Sequence, residues 1–194
     1  MQDMVKRESH TGSMIMERME LQANWVLDAI ESLRSVDSWT GRVHVQKLLF
    51  VIDALKLAKP PFQFALYHYG PYSREIDDLF GFLEVFGEIE CRYPRIGYGP
   101  QYDAQKKSPG RISADELQAM KFVANQFGKS DSKALERIAT CLWVMEREKI
   151  SSENEIIKRV GEAKPKYSTE QIRESLLSAN ELRTAAKAYN NTTG

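Results

Sequence analysis

Apolar residues recur along this chain at spacings of three and four, the period of one helix face. The 45–58 segment is so apolar that we expect it to be buried on most sides. Each later helical segment keeps a polar face opposite its apolar one. The predicted helices begin at about residue 17, then cover 45–58, 72–86 and most of 112–190.

Phe62, Phe64 and Leu66 alternate with smaller or polar residues within 62–68, a pattern that is typical of a strand with one buried face. Two further short strands, 89–93 and 98–104, flank the turn-forming stretch 94–97 and predict a hairpin. The chain is therefore predicted to have a mostly α, α+β fold. The hairpin has the dimensions of the wing in a winged-helix fold.

The ends of the later helices are marked by capping residues. A serine followed three residues later by Glu or Gln predicts a capping box, in which the two residues satisfy each other's free backbone N–H groups. Asp131 is a further predicted N-cap, and Gly87 and Gly128 are predicted to end helices. The three predicted boxes are Ser113–Glu116, Ser152–Glu155 and Ser168–Gln171.

The most distinctive stretch is the heptapeptide Tyr67-His68-Tyr69-Gly70-Pro71-Tyr72-Ser73. Gly tolerates any φ, and Pro is well suited to the first position of a helix. The stretch is therefore predicted to form a strand, a sharp corner at Gly70-Pro71 and a helix, with Tyr69 and Tyr72 packed around the corner. The core beside it is predicted to contain Phe64, Leu66, Ile76 and Leu79.

These elements suggest one compact unit with four regions. Residues 1–15 are predicted to be a flexible tail and 16–36 a helix. Residues 37–111 are predicted to form a winged-helix-like core with a β-hairpin wing, and 112–190 a C-terminal helical layer.

Several short motifs are spread over about residues 43–183. They are Gln46-Lys47-Leu48, the Phe64–Ser73 block, Ile76 with Leu79, Leu135 with Ile138-Ala139-Thr140, Val160, Lys164-Pro165, Tyr167-Ser168 and Ile172. Together these motifs resemble the YwgA-like winged-helix family. The resemblance implies the winged-helix core, and the family has no agreed enzymatic activity. A similar arrangement occurs in the C-terminal domain of the DarG antitoxin and, more distantly, in DUF4065-type (Panacea) antitoxin domains, so it also implies an antitoxin-like role.

Composition narrows the setting. The 27 basic residues balance the 27 acidic ones, so no global field draws the protein to nucleic acid or acidic lipid. No apolar run is long enough to span a membrane, and the first residues lack the apolar core of a signal peptide. Cys91 and Cys141 are predicted to be reduced thiols. We therefore expect a cytoplasmic protein.

Catalytic chemistry finds little support in the sequence. The three histidines show no metal-ligand spacing, and no phosphate-binding glycine loop precedes a helix. His68 is predicted to have a packing or hydrogen-bonding role, and the adjacent Asp77 and Asp78 diverge on their helix. We expect no enzyme activity, no metal and no cofactor.

Two charged surfaces remain as candidate binding sites. The helix 72–86 carries a net charge of −3, which disfavours insertion into a DNA groove. The segment 92–111 carries +4, with Tyr93, Tyr98 and Tyr102 interleaved as in single-strand stacking surfaces. The acidic residues are Glu75, Asp77, Asp78 and Glu84, and the basic ones are Arg92, Arg95, Lys106, Lys107 and Arg111.

The sequence thus favours a non-enzymatic binding or regulatory module that acts through a protein partner, in a toxin–antitoxin or phage-defence setting. The acidic residues of helix 72–86 are the predicted partner contacts, and they are predicted to face solvent. The alternative is a DNA- or RNA-binding regulator that uses the basic wing. Pairing of the last helix with a second copy of the chain stays open.

Overall fold

A computed structural model describes residues 2–105 and 112–193. Most of this part of the chain is helical, with two small antiparallel hairpins. The helices are α1 (Gln2–Arg34), α2 (Arg42–Ala54), α3 (Arg74–Val85), α4 (Ala114–Phe127), α5 (Ser132–Glu146), α6 (Glu153–Ala163) and α7 (Thr169–Thr193). The strands are β1 (Ala65–Tyr67), β2 (Gly70–Tyr72), β3 (Ile89–Arg92) and β4 (Gln101–Ala104).

Helix α2 lies at the centre of the fold, as its apolar sequence predicts. It contacts α1, α3, α4 and α5, and almost all of its residues are buried. Phe50 stacks on Trp143 of α5 and meets Phe64 edge to face. Helix α5 in turn packs on α6 and α7, so α2 and α5 connect the N-terminal and C-terminal halves.

Helix α1 is longer than predicted. The predicted helix start near residue 17 is too late, because α1 begins at Gln2. Glu, Gln, Lys, Arg and Met, which favour helices, make up seven of the first 15 residues, and no proline interrupts the stretch. The flexibility of residues 1–15 stays a prediction. Burial begins only near Gln22, because the earlier described side chains, from Ser13 to Glu20, are exposed.

The heptapeptide forms a hairpin instead of a strand–corner–helix. Strand β1 pairs antiparallel with β2 in a register that places Tyr67 opposite Gly70, leaving His68 and Tyr69 as a two-residue turn. Gly70 therefore starts a second strand, with a φ of +84° that favours glycine. Pro71 sits inside the strand, and helix α3 begins only after Ser73.

The second hairpin lies where a wing was predicted. Strands β3 and β4 pair from Ile89–Ala104 to Arg92–Gln101. Tyr102, one of the three tyrosines interleaved with the basic residues of the wing, is buried against Phe80 and is therefore not a stacking surface, and the Thr40 hydroxyl donates to its carbonyl. Assignment to a winged-helix fold stays a prediction.

Most of the predicted caps are confirmed. Ser113 and Glu116 form both bonds of a capping box, and Asp131 accepts from the N–H of Ala134. Ser168 and Gln171 exchange the same pair of bonds, and Gly128 ends α4. Gly87 follows α3 with a φ of +66°. Ser152 is at the predicted N-cap position, but its side chain makes no cap bond.

Candidate functional site

Two buried lysines donate hydrogen bonds to the backbone of the first hairpin. Lys47 of α2 donates from Nζ to the carbonyl of Pro71 at 2.8 Å. Lys164, just after α6, donates to the carbonyl of Tyr67 at 2.7 Å and also to that of His68. Both side chains are almost fully buried, and Lys47 is 2% exposed. The hairpin backbone thus accepts hydrogen bonds from ammonium groups of two distant helices.

Glu136 of α5 is the carboxylate that accompanies these cations. Its Oε2 accepts from Lys166 Nζ and from the Tyr167 hydroxyl, each at 2.9 Å. Its Oε1 lies 3.5 Å from Lys164 Nζ. One buried carboxylate therefore contacts the ammonium groups of Lys164 and Lys166, and it also acts electrostatically on Lys47. We call the three lysines the lysine cluster: Lys47, Lys164 and Lys166.

Burial lowers the pKa of the two buried members of the cluster. Burial lowers the pKa of Lys47 to about 7, with Glu136 opposing the effect and Lys164 adding to it. Burial also lowers the pKa of Lys164. Hydrogen bonds to the hairpin carbonyls partly replace the hydration that these ammonium groups lose.

Gln46 clamps the other end of the hairpin. Its Oε1 accepts from the N–H of Ser73, and its Nε2 donates to the carbonyl of Ser73, both at 2.8 Å. Gly70 approaches α5 so closely that a Cβ there would lie 3.1 Å from Thr140 Oγ1 and 3.3 Å from the Glu136 carbonyl. The hairpin is thus fixed at both ends and through its middle.

Three side chains of the hairpin point away from this support, and we call them the aromatic turn: Tyr67, His68 and Tyr69. Tyr67 is 60% exposed and Tyr69 65% exposed, so the prediction that Tyr69 packs around a corner is wrong. Tyr67 contacts the His68 ring, and Lys166 Nζ lies 5.1 Å from the centre of the Tyr69 ring. A rigid backbone therefore presents an exposed aromatic surface.

Most of the residues that support the hairpin lie in the YwgA-like motifs, although the sequence predicts no role for each of them. Gln46, Lys47, Thr140, Lys164 and Tyr167 all belong to the quoted motifs, and the fold brings them to one hairpin. Glu136 was missed. The available signal was a carboxylate beside Leu135 on the apolar side of α5.

Two of the four predicted acidic residues of α3 form ion pairs with other segments of the protein. Glu75 pairs with Arg18 at 2.8 Å and accepts from the side chain of Gln22 and the N–H of Gln63. Asp77 pairs with Arg42 at 2.9 Å. The prediction that both face solvent is wrong, because each carboxylate fastens α3 to another segment.

Asp78 and Glu84 are exposed, as predicted. Asp78 pairs with Arg74, which is also exposed, at 3.6 Å. Tyr72 joins this acidic surface to the aromatic turn, since its ring lies 5.7 Å from that of Tyr67. Partial burial raises the pKa of Tyr72, and Asp77 in the first turn of α3 raises it further through its charge and a hydrogen bond.

One of the predicted basic residues of the wing is paired with neighbouring carboxylates. Arg92 pairs with Glu90 at 2.8 Å and with Asp103 at 3.2 Å. Arg95 is exposed and lies 5.7 Å from the centre of the Tyr98 ring, and Tyr93 is also exposed. The remaining predicted basic residues, Lys106, Lys107 and Arg111, lie outside the described residues.

A scan against family models finds no matching family, and a search of curated proteins finds none that matches this chain. The YwgA-like resemblance accordingly stays a prediction. Within 2–105 and 112–193, no helix has the length and apolar character needed to cross a bilayer. Over the same residues, no three His, Cys, Asp or Glu side chains group together as metal ligands. Both described cysteines are free thiols.

Proposed function

We propose that the protein is a non-enzymatic binding module that acts on a protein partner through the aromatic turn. The observation that supports this most is the exposure of Tyr67 and Tyr69 on a hairpin held by buried lysines. The resemblance to antitoxin domains suggests a toxin–antitoxin or phage-defence setting.

The physical argument concerns the entropy of association. Tyrosine offers a large contact area with few rotatable bonds, and it is enriched among residues that dominate binding energy. The backbone beneath the turn is already fixed by Lys47, Lys164 and Gln46, so binding does not have to order it. Such a surface suits recognition better than catalysis.

Charge next to the turn indicates what kind of partner fits. Asp78 and Glu84 add exposed carboxylates on α3, and Tyr72 links the start of this helix to the turn. A toxin that acts on nucleic acid or nucleotides needs a basic groove that binds the phosphates of its substrate. Carboxylates of a binding partner can occupy the positions of those phosphates. We propose such a groove as the partner surface.

The test starts with capture of stoichiometric proteins from the native host by the full chain, identified by mass spectrometry. The dissociation constant of the purified complex is then measured for the Tyr67→Ala, Tyr69→Ala double variant. We expect a rise of about 10- to 30-fold, the size of effect typical of interface aromatic residues. Asp78→Lys is expected to slow association, with an effect that fades at high salt.

Tyr93→Ala is the matched control, because Tyr93 is an equally exposed tyrosine on the other hairpin. Glu75→Lys is unsuitable, since it would break the contacts to Arg18 and Gln63. Unchanged affinity in a folded double variant would show that the aromatic turn is not the binding site for the partner. Recovery of nucleic acid without a stoichiometric protein would exclude the protein partner.

A second candidate function is binding of DNA or RNA by the wing. It is favoured by exposed Tyr93 and by the pairing of Arg95 with Tyr98, a combination of stacking ring and cation. Fluorescence anisotropy with single-stranded and duplex oligonucleotides tests it. Arg95→Ala should weaken binding and reduce its salt dependence, while Asp78→Ala should leave binding unchanged or improved. Salt-independent binding would exclude this candidate.

A further inference from the structure

A cleft at the N-terminal end of α2 opens where three loops meet. These are the α1–α2 connection, the return of the second hairpin near Tyr98–Pro100, and the α4–α5 connection. Its volume is about 570 Å³. That lies within the range of clefts that hold small ligands. None of the residues of the aromatic turn or the lysine cluster lines it.

One wall of the cleft is aromatic and rigid. The Trp39 and Tyr98 rings lie 5.6 Å apart, tilted by 40°. The Trp39 indole N–H donates to the Pro100 carbonyl at 3.1 Å. Gly41 packs so tightly here that a Cβ would lie 2.8 Å from the Pro100 oxygen and 2.9 Å from the indole. The wall is therefore formed before any ligand arrives.

The opposite side is polar. Nε2 of buried His44 lies 3.3 Å from the carbonyl oxygen of Ser130. Burial lowers the pKa of His44 to about 4, so the ring is neutral at pH 7. Because a carbonyl can only accept, Nε2 carries the proton and donates it to this bond. Asp131 is engaged as the cap of α5. Lys129 is exposed on the rim, as is Asp37. Arg95 does not line the cleft and lies outside it, 5.7 Å from the centre of the Tyr98 ring.

We propose that this cleft binds a flat heteroaromatic ring that carries an anionic group, the chemistry of a nucleotide. The ring lies against Trp39 and Tyr98, and the anion faces Lys129 on the rim. Two sources share this chemistry: a free mononucleotide, or one nucleotide of a single strand that follows the wing. The proposal does not depend on the protein partner proposed above.

The three tryptophans give a direct assay with internal controls. Indole N–H signals are followed by ¹⁵N NMR while adenosine monophosphate is added, with Trp39→Phe used to assign the cleft signal. Trp39 should shift in a saturable manner, and Trp25 and Trp143, which do not line the cleft, should not. Tyr98→Ala should raise the dissociation constant about 5- to 150-fold, the range for loss of one base–aromatic stack. Tyr98 is exposed, so the variant should fold.

Adenosine and a short single-stranded oligodeoxyadenylate complete the experiment. Adenosine should bind more weakly than its monophosphate, and equal binding would overturn the anionic part of the proposal. Tighter binding of the oligonucleotide identifies a single strand as the source, and tighter binding of the monophosphate identifies the free nucleotide. No shift of Trp39 at millimolar concentrations of every probe would overturn the whole proposal. So would affinities that are unchanged in Tyr98→Ala.

Discussion

At the scale of single residues, the fold depends on polar groups that are buried in defined protonation states. Glu136 is 3% exposed, and its carboxylate contacts the ammonium groups of Lys164 and Lys166 at once. Removing one member of a buried ionic group leaves the others uncompensated, which costs about 3–5 kcal/mol. Cys141 is different, because burial raises the pKa of its thiol to about 12 and keeps it inert.

His44 makes stability depend on pH in the acid range. Burial lowers its pKa from 6.5 in the unfolded chain to about 4 in the folded protein. Between these values the unfolded chain binds more protons, so the free energy of unfolding rises with pH from about 4 to 6.5. The contribution is on the order of 3 kcal/mol, fully present above pH 6.5. Urea denaturation at several pH values measures it.

His44→Gln keeps a donor for the Ser130 carbonyl and should flatten this dependence. His68→Gln is the matched control, because His68 is exposed on the aromatic turn. A slope that His44→Gln leaves intact would show that another group titrates in this range.

At the scale of elements, the sequence predicted helices and caps better than the first hairpin. The periodicity of α2 and α5 and the capping box at Ser113 concern residues close in sequence, so the pattern alone suffices. The Gly70-Pro71 pair suits both a helix start and a strand after a tight turn. What decides between them is contact with Lys47, Thr140 and Glu136, and the sequence pattern does not contain those distances. The candidate site was missed for the same reason.

Gly70→Ala tests this packing. Gly70 has a positive φ and its missing Cβ faces Thr140 and the Glu136 carbonyl, whereas Gly87 has a positive φ with nothing within 4 Å. Gly87→Ala should therefore lower stability only through backbone strain, by about 1 kcal/mol. Gly70→Ala should lower it by about 1–3 kcal/mol more, and Gly70→Val further still. Thermal and chemical denaturation give the difference, and equal losses at the two glycines would contradict the observed hairpin contacts.

At the scale of the whole molecule, the predicted core and the C-terminal layer share one hydrophobic interior. The buried cluster extends from Trp25 of α1 to Leu182 of α7 without a break. Helices α2 and α5, one from each predicted region, are among the most extensively packed pairs. The two candidate surfaces are therefore held by the same core: the aromatic turn, and the cleft beside Trp39.

Lys164 also sets an order of events during synthesis. It reaches the Tyr67 carbonyl across 97 residues of chain. On the ribosome, the turn emerges long before the lysine that fixes it has been made, and contacts this distant in sequence form late. Until α6 has docked, the nascent hairpin lacks this anchor. A partner that needs the rigid turn therefore binds only after Lys164 has been made and has reached the Tyr67 carbonyl.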